Sequence, residues 1–171
     1  MTESLLPVSG LNIIYARSRN HCIGKDGGLP WQLPLEYRHF EQVTQGYPVI
    51  MGRKSYEDHD GLLAGSTNII VSRQHGLQVE PGGFVCQNLS AAISLAEAKA
   101  KSYFVIGGAG LIQEALGEAA AVFETIVDAD LSGDVLLPPF DFSTWQSTTL
   151  FTHAQDQQHA YSFTAYRHTR T

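Results

Sequence analysis

Short, almost uniformly apolar runs constrain this chain more than any other feature. Leu11–Ala16 (Asn12 apart), Pro48–Met51, Asn68–Val71 and Tyr103–Ile106 are too short for helices and have no polar alternation. That is the pattern of strands buried on both faces, which occurs mainly in parallel sheets covered by helices. Helical stretches are expected between them. Ser90–Ala100 is Ala-rich with Ser90 as a candidate N-cap, and Leu111–Leu116 reads as a short helix. Val122–Asp128 is a further strand. Thr148–Thr152 and Tyr161–Arg167 read as an antiparallel pair joined around Asp156. The expected fold is α/β: a single domain with a mostly parallel, twisted central sheet, an antiparallel C-terminal strand and helices on both faces. Residues 1–10 are expected to be a flexible leader and 11–171 the domain.

Length and charge narrow the function classes. A chain of 171 residues suits one domain, and 43% hydrophobic with 16% charged residues is globular. The formal net charge of −6, from 11 basic and 17 acidic residues, argues against a nucleic-acid or anionic-membrane surface. No apolar run approaches a membrane span, and the N-terminus lacks the basic region of a signal peptide. Two cysteines, Cys22 and Cys86, with no Cys-x-x-Cys and no histidines at ligand spacing make a metal site unexpected. A cytoplasmic monomer with free thiols is the expectation, with Cys22 an apolar filler.

Residues 23–34 read Ile-Gly-Lys-Asp-Gly-Gly-Leu-Pro-Trp-Gln-Leu-Pro, and Glu36 follows. This order gives a Gly-rich mobile loop, a rigid Pro-Trp corner and a carboxylate on the first turn of a helix begun by Pro34. Glu36, Phe40 and Val43 share one helical face. A buried carboxylate costs several kcal/mol without a partner, and no Arg or Lys lies on that stripe. Either a ligand completes Glu36, or Glu36 faces water and complements the positive helix end.

Basic residues and glycines sit where strands end. Gly52-Arg53-Lys54-Ser55, Ser72-Arg73 and Gly107-Gly108-Ala109-Gly110 each follow an apolar run. Glycines before a helix let backbone N–H groups approach an anion, and Arg53, Lys54 and Arg73 could converge on a second phosphate. Each alone is more readily explained by tight packing or solvated charge. Together they suggest a dinucleotide with an extra phosphate.

These residues together resemble dihydrofolate reductase. The resemblance rests on Ile23-Gly24, Leu29-Pro30-Trp31, Leu33-Pro34, Glu36, Phe40, the Pro48–Arg53 block, Val105–Gly108 and Gly133-Asp134, and it spans residues 11 to about 167. It implies NADPH as cofactor, a small dihydropterin as substrate and reduction of 7,8-dihydrofolate to 5,6,7,8-tetrahydrofolate by hydride transfer to pterin C6. Glu36 would bind the pterin 2-amino group and ring N–H, Trp31 would hold a water near it, and Leu29 would close over the nicotinamide. Ala16 and Phe40 would line the substrate site, and Thr125 would hydrogen-bond the acid. Cofactor contacts would come from Ala16, Ile23, Gly24, Gly52, Arg53, Lys54, Ser55, Ser72, Arg73, Gly107, Gly108, Ala109 and Gly110, with a cis Gly107–Gly108 peptide.

Some positions depart from the family. Ser66 stands where the resemblance implies an arginine for the glutamate tail of folate, and Ser cannot replace a bidentate Arg–carboxylate contact. Arg38, two residues after Glu36, is a candidate replacement or a solvated helix residue. His59, Asp60 and Gly61 replace a more apolar lip. Ile112 stands where many members have tyrosine. A reductase of another dihydropterin, such as dihydromethanopterin or a tail-less pterin, is the alternative, and a non-catalytic pterin- or nucleotide-binding module is the third reading.

Overall fold

The structure is a computed structural model that describes residues 5–58, 61–74 and 76–171. Eight strands are hydrogen-bonded in the order β5 (Gly83–Cys86), β4 (Asn68–Val71), β3 (Val49–Gly52), β6 (Ser102–Gly107), β1 (Gly10–Ser18), β7 (Ala121–Val127), β10 (Phe163–Arg170), β9 (Trp145–His153), and β2 (Cys22–Gly24) and β8 (Val135–Leu136) form a separate two-stranded ladder. The chain divides into two compact units. One comprises Met1–Leu6, Ile14–Val43 and Ala121–Thr171; the other comprises Pro7–Ile13 and Thr44–Ala120.

The second unit holds the parallel strands. They are β3 (Val49–Gly52), β4 (Asn68–Val71), β5 (Gly83–Cys86), β6 (Ser102–Gly107) and the first part of β1 (Gly10–Ser18). β1 pairs with β6, β6 with β3, β3 with β4 and β4 with β5, all parallel. Ile13, Val49, Ile50, Met51, Ile69, Ile70, Phe104 and Val105 are completely enclosed, which is why the sequence there shows no alternation. α2 (Arg53–Asp58), α3 (Leu89–Lys99) and α4 (Ala109–Leu116) follow β3, β5 and β6. α3 packs against β3, β4, β5 and β6. Its N-cap is Asn88, not Ser90: the Asn88 side chain accepts the Ala91 N–H at 2.8 Å. Asn caps as well as Ser, and here it stands at the residue where the chain is still extended.

The first unit holds β7 (Ala121–Val127), β9 (Trp145–His153) and β10 (Phe163–Arg170). β10 is antiparallel to both β7 and β9, with a bulge at Ala165/Tyr166. α1 (Pro34–Thr44) also lies in this unit, as do β2 (Cys22–Gly24) and β8 (Val135–Leu136). Trp31 and Leu33 are buried with Val127 and Phe163, and Ala16, Leu35, Phe151 and Tyr161 pack around them. The Pro-Trp corner is thus pinned to β7 and β10, which fixes where α1 begins.

The fold agrees with the mostly parallel sheet, antiparallel C-terminal pair and helices read from the sequence. Of the expected leader, residues 1–4 lie outside the described residues. Val8 exchanges hydrogen bonds with the Asn12 side chain at 2.9 and 2.7 Å, and Gly10 already belongs to β1. His59 and Asp60 also lie outside the described residues. Both cysteines are free thiols, with Cys22 fully enclosed.

Candidate active site

α1 starts without a local cap. Leu33 occupies the position where Ser, Thr, Asp or Asn is preferred and offers only its carbonyl, which accepts the N–H groups of Glu36 and Tyr37 at 3.0 and 3.1 Å. Pro34 has no N–H to satisfy. The remaining first-turn donor, the Leu35 N–H, reaches His159 Nε2 at 3.2 Å. This arrangement holds Glu36 on the first turn, where it is 6% exposed.

Among the described residues the Glu36 carboxylate has one hydrogen bond, donated to Oε2 by Trp31 Nε1 at 3.2 Å. Burial pushes the Glu36 carboxyl up to about 7, and the Trp31 bond only partly opposes it. Glu36 is one of the residues that line a cavity of about 260 Å³, with Leu29, Trp31, Gln32, Leu33, Pro34 and Tyr37. A buried acid with one donor and spare acceptor sites facing a cavity suits a ligand edge carrying N–H donors.

Of the residues expected at the substrate site, Ala16, Phe40, Thr125 and Arg38 are not part of the lining of this cavity. Leu29 is exposed and lines the cavity. Phe40 is half-buried on α1, with its ring 5.9 Å from Tyr37. Thr125 is buried on β7, but the hydrogen bond that Glu36 receives comes from Trp31. Ala16 is half-buried beside Trp31, and Ile23 is half-buried on β2. Arg38 is exposed. Residues 25–28 form a tight two-residue turn: the Lys25 and Gly28 backbones exchange hydrogen bonds at 2.9 Å, and Asp26 and Gly27 have φ of 51° and 79°. Gly24 is buried and its carbonyl accepts the Asp134 N–H at 3.0 Å. A Cβ on Gly133 would collide with that carbonyl, which accounts for the Gly133-Asp134 pair seen in the sequence.

The glycine cradle belongs to the second unit. The Gly107–Gly108 peptide is cis, and Gly107 has φ of 149°. A Cβ at Gly107 would stand 2.9 Å from Ser55 Oγ, and one at Gly52 would stand 3.7 Å from Gly108 N. Gly52, Ser55, Gly107 and Gly108 therefore come together as expected. α4 follows at once, with no side-chain cap at Gly108, so the N–H groups around Ala109 and Gly110 keep their capacity for an anion. Ser72 is buried, and its Oγ accepts the Gln74 N–H at 3.1 Å. Lys54 and Arg73 are exposed. Arg53 is exposed, and its Nη1 lies 3.0 Å from Glu57 Oε1.

Ser66 sits in a turn organised by Asn68. The Asn68 side chain accepts the Leu63 N–H at 2.8 Å and donates to the carbonyls of Leu63 and Ser66, each at 2.9 Å. Ser66 Oγ donates to the Thr44 carbonyl at 3.5 Å. Sequence reading missed His159, because its partner Leu35 is 124 residues away. It also missed His39, buried on α1 at i+3 from Glu36 and pushed down to about 4 by burial. An apolar-periodicity reading passes over a histidine there.

Comparison with known proteins agrees with this geometry. A family model for dihydrofolate reductase matches residues 10–170. Dihydrofolate reductase type 3 of Salmonella typhimurium is 38% identical over 152 residues, covering 89% of this chain and 93% of that protein. Dihydrofolate reductase of Bacillus subtilis (strain 168) is 30% identical over 153 residues, covering 90% of each. The structure of dihydrofolate reductase from Enterococcus faecalis complexed with NADP(H) and RAB-propyl matches the fold with a TM-score of 0.88 at 23% identity, covering 95% of this chain and 96% of that one. A match over nearly the whole chain, with Leu29-Pro30-Trp31 and Glu36 at a cavity, places this protein in the dihydrofolate reductase family.

Proposed function

We propose that this protein reduces 7,8-dihydrofolate to 5,6,7,8-tetrahydrofolate with NADPH. The observation that carries the reading is Glu36: a buried carboxyl pushed up to about 7, with one donor among the described residues, on a residue that lines a cavity. A dihydropterin presents a 2-amino group and a ring N–H side by side, which suits two carboxylate oxygens. Those donors would stabilise the anion and return Glu36 to its ionised form. The ionised carboxylate then orients the ring and raises the basicity of N5 electrostatically. The N5 proton arrives through water, because Glu36 grips the opposite edge of the ring. Leu29 and the turn beside it limit access of bulk solvent.

The residues of the second unit fit the cofactor. The space at Gly107 that Ser55 denies to any Cβ, and the uncapped start of α4, suit a pyrophosphate against backbone. Bound there, NADPH would supply the hydride that adds to pterin C6 and would be oxidised to NADP⁺. A cytoplasmic location is consistent with two free thiols. No helix among the described residues is long and apolar enough to cross a membrane.

Ser66 favours a second reading, in which the dihydropterin lacks a glutamate tail. NADPH oxidation followed with dihydrofolate and with a tail-less dihydropterin tests both. Faster turnover of dihydrofolate supports the first reading, a preference for the tail-less substrate supports the second, and oxidation with neither removes both. Ser66→Arg should tighten a glutamate-bearing antifolate by about 1.5–3 kcal/mol, the worth of a charge-assisted hydrogen bond, and leave a tail-less diaminopyrimidine unchanged. If Arg38 has taken over the tail carboxylate, Arg38→Ala weakens only the glutamate-bearing ligand. If neither variant distinguishes the two ligands, the tail does not pass this position.

A further inference from the structure

The β9–β10 hairpin carries three side chains that the reaction above does not use. His159 is 1% exposed, and its Nδ1 lies 2.8 Å from Asp156 Oδ1. Asp156 Oδ2 lies 2.8 Å from His153 Nε2, and the two imidazole rings are 4.5 Å apart. Backbone bonds between Asp156 and His159, at 3.0 and 3.2 Å, fix the hairpin tip. The other nitrogen of His159, Nε2, accepts the Leu35 N–H at 3.2 Å. Leu35 immediately precedes Glu36.

We propose that His159, oriented by Asp156, is a positioning residue for Glu36: it caps α1 from the far end of the chain and thereby sets where the pterin-binding carboxylate stands. The inference rests on reading Glu36 as the pterin anchor. Three observations support it. α1 has no cap of its own, since Leu33 has no side-chain acceptor and Pro34 has no N–H. Leu35 is therefore the first-turn donor without a local acceptor, and His159 supplies that acceptor. Finally, the tautomer is determined. The His159 and His153 bonds hold the Asp156 carboxyl well below its ordinary value, so it is an anion that can only accept. Nδ1 must carry the proton, which leaves a lone pair on Nε2 for Leu35.

The same tautomer argues against a metal centre. The donor atoms of His153, Asp156 and His159 lie within 4.8 Å of one another, a spacing that an ion could bridge. An ion on His159 Nδ1 would move the proton to Nε2, facing it against the Leu35 N–H. The cluster is built as a hydrogen-bonded chain, not as a ligand set.

Amide hydrogen exchange at Leu35, read by NMR on the full chain, tests the proposal directly. In the wild type this amide is protected, and long-range proton–nitrogen spectra report His159 Nε2 as unprotonated. His159→Ala should accelerate Leu35 exchange about fivefold, as for loss of a helix cap. It should also lower kcat and raise KM for dihydrofolate while leaving KM for NADPH unchanged. His159→Gln should restore both, since the Gln carbonyl can accept from Leu35 while its amide donates to Asp156. His153→Ala should leave Leu35 protection intact. Unchanged Leu35 exchange in His159→Ala overturns the proposal, and so does tight Zn²⁺ binding that His153→Ala abolishes. A wild type inactive on every dihydropterin would remove the proposed function, while the Leu35 exchange would still report on the cap.

Discussion

Two glutamates are buried to almost the same degree in the same unit, and their surroundings could hardly differ more. Glu36 is 6% exposed and Glu124 is 5% exposed. Glu124, on β7, receives Tyr15 Oη at 2.7 Å and Arg17 Nε at 3.0 Å on one oxygen, and lies 3.0 Å from His168 Nε2 on the other. His168 is itself held by Ser147 Oγ at 2.7 Å and by the stacked ring of Phe142 at 3.9 Å. Burial pushes Glu124 up, but the His168 and Tyr15 hydrogen bonds and the Arg17 charge outweigh it and hold the carboxyl below its ordinary value. Among the described residues Glu36 receives only Trp31, and burial wins. Burial therefore does not tell these two acids apart. The number of partners does: Glu124 is saturated by the fold, and Glu36 is left for something to complete.

The sharpest way to break the contrast is to neutralise each acid in turn. Glu36→Gln should lower turnover of dihydrofolate by at least about a hundredfold, more than 2.7 kcal/mol in the barrier, with NADPH affinity nearly unchanged. Residual activity should improve at low pH, where substrate arrives already protonated. Steady-state rates across pH check this, and wild-type rates in Glu36→Gln near neutrality would remove Glu36 from the mechanism. Glu124→Gln should instead cost stability, about 3 kcal/mol, because it leaves the largely buried Arg17 without its anion. Urea unfolding measures that loss, and a loss in activity without one would reverse the roles assigned here.

The two acids should also carry opposite pH signs. The folded Glu36 carboxyl holds its proton up to about 7, against an ordinary 4.5. Its contribution to stability is fully present below the lower value and is lost as pH rises through the higher one. The difference amounts to up to about 3 kcal/mol in the ligand-free protein. Ligand-free Glu36→Gln should therefore gain on the wild type as pH rises through that window. Glu124 is depressed, so its contribution is present above the ordinary carboxylate value and is lost as pH falls below it. Chemical denaturation at several pH values separates the two, and parallel pH trends in both variants would remove the distinction between them.

How much of this was legible in the sequence follows the same division. Strands β1, β3, β4, β6 and β7 were readable because they are enclosed and their apolar runs are continuous. β5 was not, because Phe84 and Val85 are each 39% exposed and the strand is four residues long. Nor were β2 and β8, which depend on each other for pairing, or α2, whose six residues bury none. At the site, Glu36 could be picked out because an acid on an apolar helical face is a local anomaly. The Trp31 donor and the glycine cradle at Gly107–Gly108 lie in motifs contiguous in sequence. His159, His168 and Glu124 carry no such signal. His168 and Glu124 are explained by each other and by partners on other strands, and His159 by the Leu35 N–H of α1; sequence spacing does not encode those contacts.

The smallest effects concern two arginines of the other unit, and the partner-counting argument ranks them. Arg53 already has Glu57 at 3.0 Å, with both side chains about half exposed. Such a pair is worth at most about 1 kcal/mol, yet it directs the guanidinium along its own helix. Arg73 is exposed and has no ion pair among the described residues. If the extra phosphate of NADPH is recognised here, Arg73 is the better placed cation. Arg73→Ala should then weaken NADPH roughly tenfold, within the range of one charged hydrogen bond, and NADH far less. Added salt should shrink that difference, since screening at physiological ionic strength acts over about 8 Å. Arg53→Ala should change the ratio of the two cofactors much less, because the side chain must first leave Glu57. Glu57→Ala sharpens the test: freeing Arg53 should raise NADPH affinity if the ion pair competes with phosphate. Titrating both cofactors against the three variants gives the answer. Equal losses for NADPH and NADH in Arg73→Ala would make Arg73 a structural residue and leave the 2′-phosphate to Arg53 or Lys54.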